Sequence, residues 1–385
     1  MTPKERVRAA MELKTPDRVP LMCQMSIGHM LQQLPVSPVE FWFDADTFAA
    51  GLVELRKVYG FDGILVSLHG HFRNWREKIL SRKVVANGEE VVLVNGKRIL
   101  FTNNELPQNL IEQAAHQKSK APTDDSLTST LELNRLPDEI DFIPVSQGLH
   151  FDIDPGDKFR CIENIVSSSG NEFSIHGEIT SPFDYFLDFS GHQEGLFALI
   201  AEPDKAQKSL DHFTTLLEKL AEEMCKTGID AIKISSPFAG SGFISPEFYG
   251  EFVAPYDGRL ARAIRTKGVH AYIHTCGAIG DRLSMMFDLG ASGIECLDPP
   301  PLGNVELETA MRIANRRGFI KGNIDSVNIL SNGTEEEILA DARTRLDIGK
   351  KYGGFILSTA CSIAPMVKRE SIVLLREAVE RWGWI

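Results

Sequence analysis

Eight short runs rich in β-branched residues recur along the chain, and helical stretches separate them. The runs cover residues 19–25, 61–69, 173–179, 229–235, 269–275, 292–298, 317–323 and 353–360. Short, nearly continuous apolar strands of this kind are buried on both faces, and helices between them require parallel pairing. A 385-residue chain that repeats this unit eight times is expected to close a (β/α)8 TIM barrel.

Local signals agree with the alternation. Leu210, Phe213, Leu217, Leu220 and Met224 form one apolar stripe at helical spacing within 203–227. Ser245-Pro246 reads as a helix cap followed by Pro at the first helical position, and Thr334 with Glu337 as a capping box. The pattern breaks between the second and third runs. Asn87-Gly88 and Asn95-Gly96 are hairpin turns, and 115–135 is polar and reads as a loop or excursion. The chain is therefore expected to be one domain, 1–385, with a β-hairpin and loop insertion at about 80–150 after the second strand, placed to cover the barrel mouth.

Composition excludes some functions. A net charge of −12 argues against a nucleic-acid partner, which needs a basic surface. No uncharged stretch is long enough for a membrane span. Six cysteines in this length fit reduced thiols in a cytoplasmic protein better than a disulfide framework. The charged N-terminus lacks the apolar region of a secretory signal.

In barrels of this type the chemistry lies at the C-terminal ends of the strands. His274 and Cys276, two residues apart at the end of one strand, share a face. Cys361 ends another strand, and the eight-strand register brings all three to one rim. Two thiolates and a neutral imidazole can hold zinc with one position open. Asp298, which closes the intervening strand 22 residues after Cys276, is the first choice for a fourth ligand, with Glu295 as the second. The rival reading of the same residues is buried cysteine acting as a small apolar filler. Glu178 and Asp325, at the ends of the third and seventh strands, are candidate catalytic acids; a satisfied rim carboxylate and a turn residue are the plainer readings. His69 and His71 suit a structural role, and Cys23, Cys161, Cys225 and Cys296 suit packing.

These segments resemble the uroporphyrinogen decarboxylase superfamily, and within it the zinc-dependent methyltransferases that work with a corrinoid. The carrying stretches are His274-Thr275-Cys276-Gly277, GIECLDPPPLGNVEL (293–307), KGNID (321–325) and GGFILSTACSIAP (353–365), with TPDRVPL (15–21) and ISPEFYGEFVAPY (244–256) fitting the same group. The resemblance implies a (β/α)8 barrel and a zinc ion held by His274, Cys276 and Cys361, with Asp298 at an acidic position that usually holds Glu. It implies methyl transfer between a small methylated compound or thiol and the cobalt of a corrinoid (methylcobalamin type) carried by a partner protein. The insertion suggests a pocket larger than a bare thiol needs, which favours O-demethylation of a methoxylated aromatic or similar compound. Two other readings stand beside it. A metal-free decarboxylase of a porphyrin-like tetracarboxylate would need arginines after the first strand, where Leu21–His29 has none. A non-catalytic barrel that only binds a corrinoid protein or small ligand would have no use for an open three-ligand site.

Overall fold

The structure is a computed structural model that describes residues 1–110, 136–145 and 149–385. In chain order the strands are β1 (Gly63–Val66), β2 (Ile79–Val85), β3 (Gly88–Leu93), β4 (Arg98–Thr102), β5 (Gln108–Asn109), β6 (Phe142–Val145), β7 (Leu149–Asp152), β8 (Ser174–Thr180), β9 (Ala231–Ser235), β10 (His270–Thr275), β11 (Gly293–Cys296), β12 (Phe319–Ile324) and β13 (Phe355–Thr359).

Seven of them form one parallel sheet in the order β1-β8-β9-β10-β11-β12-β13. The expected first strand, 19–25, takes a different form. It is an extended segment with single bridges at Leu21 to Leu357 and Met25 to Ile363. Pro20 has no N–H to give, and the Leu21 N–H is taken by the Asp62 carboxylate at 2.8 Å, so no continuous ladder forms. The segment still bonds to both edges of the sheet. Asp62 N–H donates to Leu21 O at 2.7 Å, Met22 N–H to Leu357 O at 3.0 Å, and Leu357 N–H to Pro20 O at 2.8 Å. It thus occupies the eighth position of a curled α/β sheet.

The helices begin where the sequence predicts. Ser245 caps Pro246–Phe252, and Thr334 with Glu337 forms a capping box on Glu335–Tyr352. Their apolar faces pack on the outside of the sheet in the main core. A second cluster fills one end of the sheet's interior. There Tyr272, Phe319, Ile356, Ala231, Leu65 and Met22 meet Val7, Ala10 and Met11 of the N-terminal helix Pro3–Met11.

Strand periodicity then sets the next layer. Two residues further along these same segments stand His274, Lys321, Ser358, Lys233, Ser67 and Gln24. A branched apolar layer is the usual filling of such a barrel, and here a polar, charged layer replaces it.

The insertion supplies an antiparallel sheet β2-β3-β4-β5 and a β6-β7 pair. The Asn87-Gly88 turn joins β2 to β3, and Asn95-Gly96 joins β3 to β4. The polar 115–135 stretch lies outside the described residues.

Asp62 ties the closure together. It is 1% exposed and takes hydrogen bonds from Arg6 Nη1 (2.7 Å), Arg18 Nη1 and Nη2 (both 3.1 Å) and Leu21 N. Removing one partner of a buried ion-pair network leaves charges uncompensated, at a cost of about 3–5 kcal/mol. Asp62→Ala is therefore expected to lower the urea midpoint by a corresponding amount. An unchanged midpoint would mean that this network does not hold the closing segment.

Candidate metal and substrate site

The polar layer is an alternating ladder of charges. Register pairs Glu178 with Lys233, His274 with Glu295, and Glu295 with Lys321. Lys233 Nζ lies 2.9 Å from Glu178 Oε1 and 3.7 Å from Glu295 Oε2, and donates to Gln24 Oε1 at 2.8 Å. Lys321 Nζ bonds Glu295 Oε1. Burial alone would push the Glu295 carboxyl up, but Lys321, Lys233 and His274 hold it well below the usual range. Burial would also strip Lys233 of its proton, and Glu178 and Glu295 raise it instead.

Glu295 orients the first candidate ligand. His274 Nδ1 lies 3.0 Å from Glu295 Oε2, and Nε2 lies 3.2 Å from Cys276 Sγ. Burial pulls the imidazole down, but the Cys276 charge and the bonds to Cys276 and Glu295 outweigh it, raising His274 to about 9. Cys276 Sγ is 3.8 Å from Cys361 Sγ. The neighbouring Cys296 and Cys361 thiols, with help from His274, hold Cys276 far below the usual thiol range despite burial. Its two neighbours move the other way, Cys296 mainly through burial and Cys361 mainly through its bond to Cys276.

The ligand atoms of His274, Cys276 and Cys361 lie within 4.8 Å of one another. A tetrahedral ion bonded to sulfur at about 2.3 Å sets its two sulfurs about 3.8 Å apart, which is the separation found. The donor set and its spacing therefore fit zinc, and the carboxylate on Nδ1 is the usual support for a ligating imidazole.

Asp298 stands one step away. It forms a second group with Cys276 and Cys296, again within 4.8 Å. Its Oδ2 accepts from Gly277 N–H at 2.6 Å and from the Cys296 thiol at 3.2 Å. Two backbone features make this possible. Gly277 has φ 74°, and a Cβ on Gly303 would lie 2.3 Å from Asp298 O, so the loops close over Asp298 only without a side chain there. Cys296 has φ 85°, a strained value for a residue with a Cβ, and this turn carries its thiol to Cys276 and Asp298.

The sequence reading missed Cys296. The available signal was its spacing: Cys296 and Asp298 repeat the two-residue step of His274 and Cys276 on the neighbouring strand. It also missed Lys233 and Lys321, which read as strand residues with no partner in view.

The structure separates the two candidate acids. Glu178 has a buried Oε2 with no partner among the described residues and lines a cavity of about 1000 Å³. Asp325 is turned onto its own loop, where it accepts from Val327 N–H (2.9 Å), Asn328 N–H (2.7 Å) and Asn328 Nδ2 (2.8 Å). His69 and His71 are buried against Phe159 and Phe151, and burial lowers them to about 4 and about 3.

His274, Cys276 and Cys361 do not themselves line the cavity, which reaches their neighbours. Its lining includes Ser235, the register partner of His274, and Ser362, which follows Cys361. The insertion walls it with Glu105, Leu106, Ile143, Pro144, Val145 and His150.

A thiolate far below the ordinary range reacts at a pH where other thiols do not. In metal-free protein at pH 6, iodoacetamide is expected to alkylate Cys276 first. Burial pushes Cys23 and Cys225 up to about 11, and those thiols should stay unmodified. Peptide mapping reads the order, and labelling of Cys225 ahead of Cys276 would contradict the hydrogen bonding described.

Comparison with known proteins adds lineage. The family model described as "Uroporphyrinogen decarboxylase (URO-D)" matches residues 156–382. The "Methylcobamide:CoM methyltransferase MtbA" of Methanosarcina acetivorans is 28% identical over 226 residues, which is 58% of this chain and 63% of that protein. The chain thus spans less than two thirds of that relative. The protein of the same name from Methanosarcina mazei is 23% identical over 388 residues, covering 100% of this chain and 99% of its own length. A solved structure titled "methyltransferase from Methanosarcina mazei" superposes with a TM-score of 0.73 at 19% identity, covering 99% of each chain, and establishes likeness of fold.

Proposed function

The chain belongs to the uroporphyrinogen decarboxylase family, and from that premise we propose that it is a corrinoid-linked methyltransferase. It moves a methyl group between a small methylated compound or thiol and the cobalt of a corrinoid presented by a partner protein. The observation that carries this reading is the convergence of His274 Nε2, Cys276 Sγ and Cys361 Sγ beside a large cavity. The relatives named as methylcobamide:CoM methyltransferases add support.

The metal in this reading is zinc, held by His274, Cys276 and Cys361, with Asp298 as the fourth group. When bound, it supplies Lewis-acid activation of the sulfur or oxygen that gives or takes the methyl group. The chain's own residues do the rest. Glu295 fixes the His274 ring, and Lys233 and Lys321 keep Glu295 ionised in the interior. Asp298 holds the Gly277 N–H and the Cys296 thiol, so it reaches the metal only by exchanging those partners. Glu178 lines the cavity and is the carboxyl that would take or return the proton of a substrate thiol or hydroxyl there. Asp325 in this reading shapes the loop after β12.

A cavity of about 1000 Å³ walled by the insertion is larger than a bare thiol needs, which favours demethylation of a methoxylated compound. The chain would act as a single domain, 1–385. Six free cysteines suit a reducing cytoplasm, and no described helix is long and apolar enough to cross a membrane.

Metal content and transfer test this together. Purified protein is expected to carry one zinc per chain, to lose it in Cys361→Ser, and to demethylate methylcobalamin in the presence of a small thiol. Protein that stays metal-free after zinc loading would sink the reading and favour a metal-free decarboxylase. Glu295→Gln should weaken zinc affinity about 10–100-fold, as loss of a group supporting a ligand does; an unchanged affinity in a chelator competition would remove Glu295 from that role.

A further inference from the structure

Two side chains compete for the fourth position of the metal site. Cys276 belongs to both groups of donors, so Cys296 and Asp298 each stand within 4.8 Å of a ligand of the first group. Both are buried, at 0% and 5% exposure. They are not equally free to turn to an ion. Asp298 Oδ2 accepts from Gly277 N–H at 2.6 Å, and so pins the loop that follows Cys276. The same oxygen accepts from the Cys296 thiol at 3.2 Å. Cys296 is tied to this carboxylate by its proton, and losing that proton frees the sulfur.

The backbone points the same way. Cys296 has φ 85° and Leu297 φ 59°, two left-handed residues in succession. That conformation is free to glycine and costly to a residue with a Cβ. A thiol that only fills space needs no such turn. Here the turn sets a sulfur beside Cys276 with a proton acceptor in reach. A third sulfur also matches the donors already present, since zinc sites closed by the protein alone are built from Cys and His. We propose that Cys296 is the fourth zinc ligand and that Asp298 serves it as proton acceptor. On metal binding the Cys296 S–H bond breaks, its proton passes to Asp298 Oδ2, and the sulfur bonds the ion. The protein then closes the site with one His and three Cys, and a substrate sulfur or oxygen enters by displacing Cys296. The inference rests on the zinc reading above and changes only its fourth ligand.

Cobalt(II) in place of zinc tests it, because each bound thiolate adds sulfur-to-metal charge-transfer absorption. At saturating cobalt, Cys296→Ala in the full chain is expected to lose about one third of the band, as three thiolates become two. An unchanged band would overturn the proposal and leave the position to Asp298. Should that variant fold poorly, zinc X-ray absorption of the unsubstituted chain counts the sulfurs directly. Three are expected; two would overturn the inference and leave the metal site standing. A chain that binds neither cobalt nor zinc would sink the metal reading itself, and this inference with it.

Discussion

Glu295 is the charge on which the site depends. It sits 2% exposed in the interior of the sheet, where an isolated carboxylate would be strongly disfavoured. It is tolerated because Lys321, Lys233 and His274 each give it a hydrogen bond or a close opposite charge. Lys233 in turn spans the gap to Glu178. Two lysines and two glutamates thus neutralise one another across neighbouring parallel strands. The arrangement adds little net stability, since burying such charges offsets most of their attraction. What it provides is position: the His274 ring is held by Nδ1, so Nε2 must face the thiols.

Parallel register makes this ladder possible. Side chains two apart on a strand stack toward the barrel mouth, and residues level on adjacent strands stand side by side. The apolar layer at Tyr272, Phe319 and Ile356 seals the lower end against the N-terminal helix. The charged layer lies immediately above it. Above that come Cys276, Cys361 and the cavity. The site is therefore a stratified column, in which each layer is fixed by the one below.

Much of this order was legible along the chain. The strand–helix alternation, the caps at Ser245 and Thr334, and the turns at Asn87 and Asn95 are local effects, and each appears where its residues predict. His274 and Cys276 could be paired because a two-residue step on a strand keeps one face. Cys361 could be added because it ends another strand. The 19–25 segment departed from expectation because Pro20 and the Asp62 carboxylate remove N–H groups that a ladder requires.

What the sequence determined by itself is the period: a strand–helix alternation, and a His and a Cys two residues apart at the end of one strand. Tertiary structure alone decided the partners. Lys233 and Lys321 look like solitary strand lysines until register sets Glu178 and Glu295 beside them. Cys296 looks like core packing until a left-handed backbone turn delivers its thiol to Cys276 and Asp298. The cavity's wall joins residues 105, 150, 178, 184 and 188, drawn from the insertion and the barrel together. Periodicity is a property of neighbours in the chain and can be read there. Charge pairing and concavity depend on distances between segments far apart in sequence, which exist only once the sheet has closed.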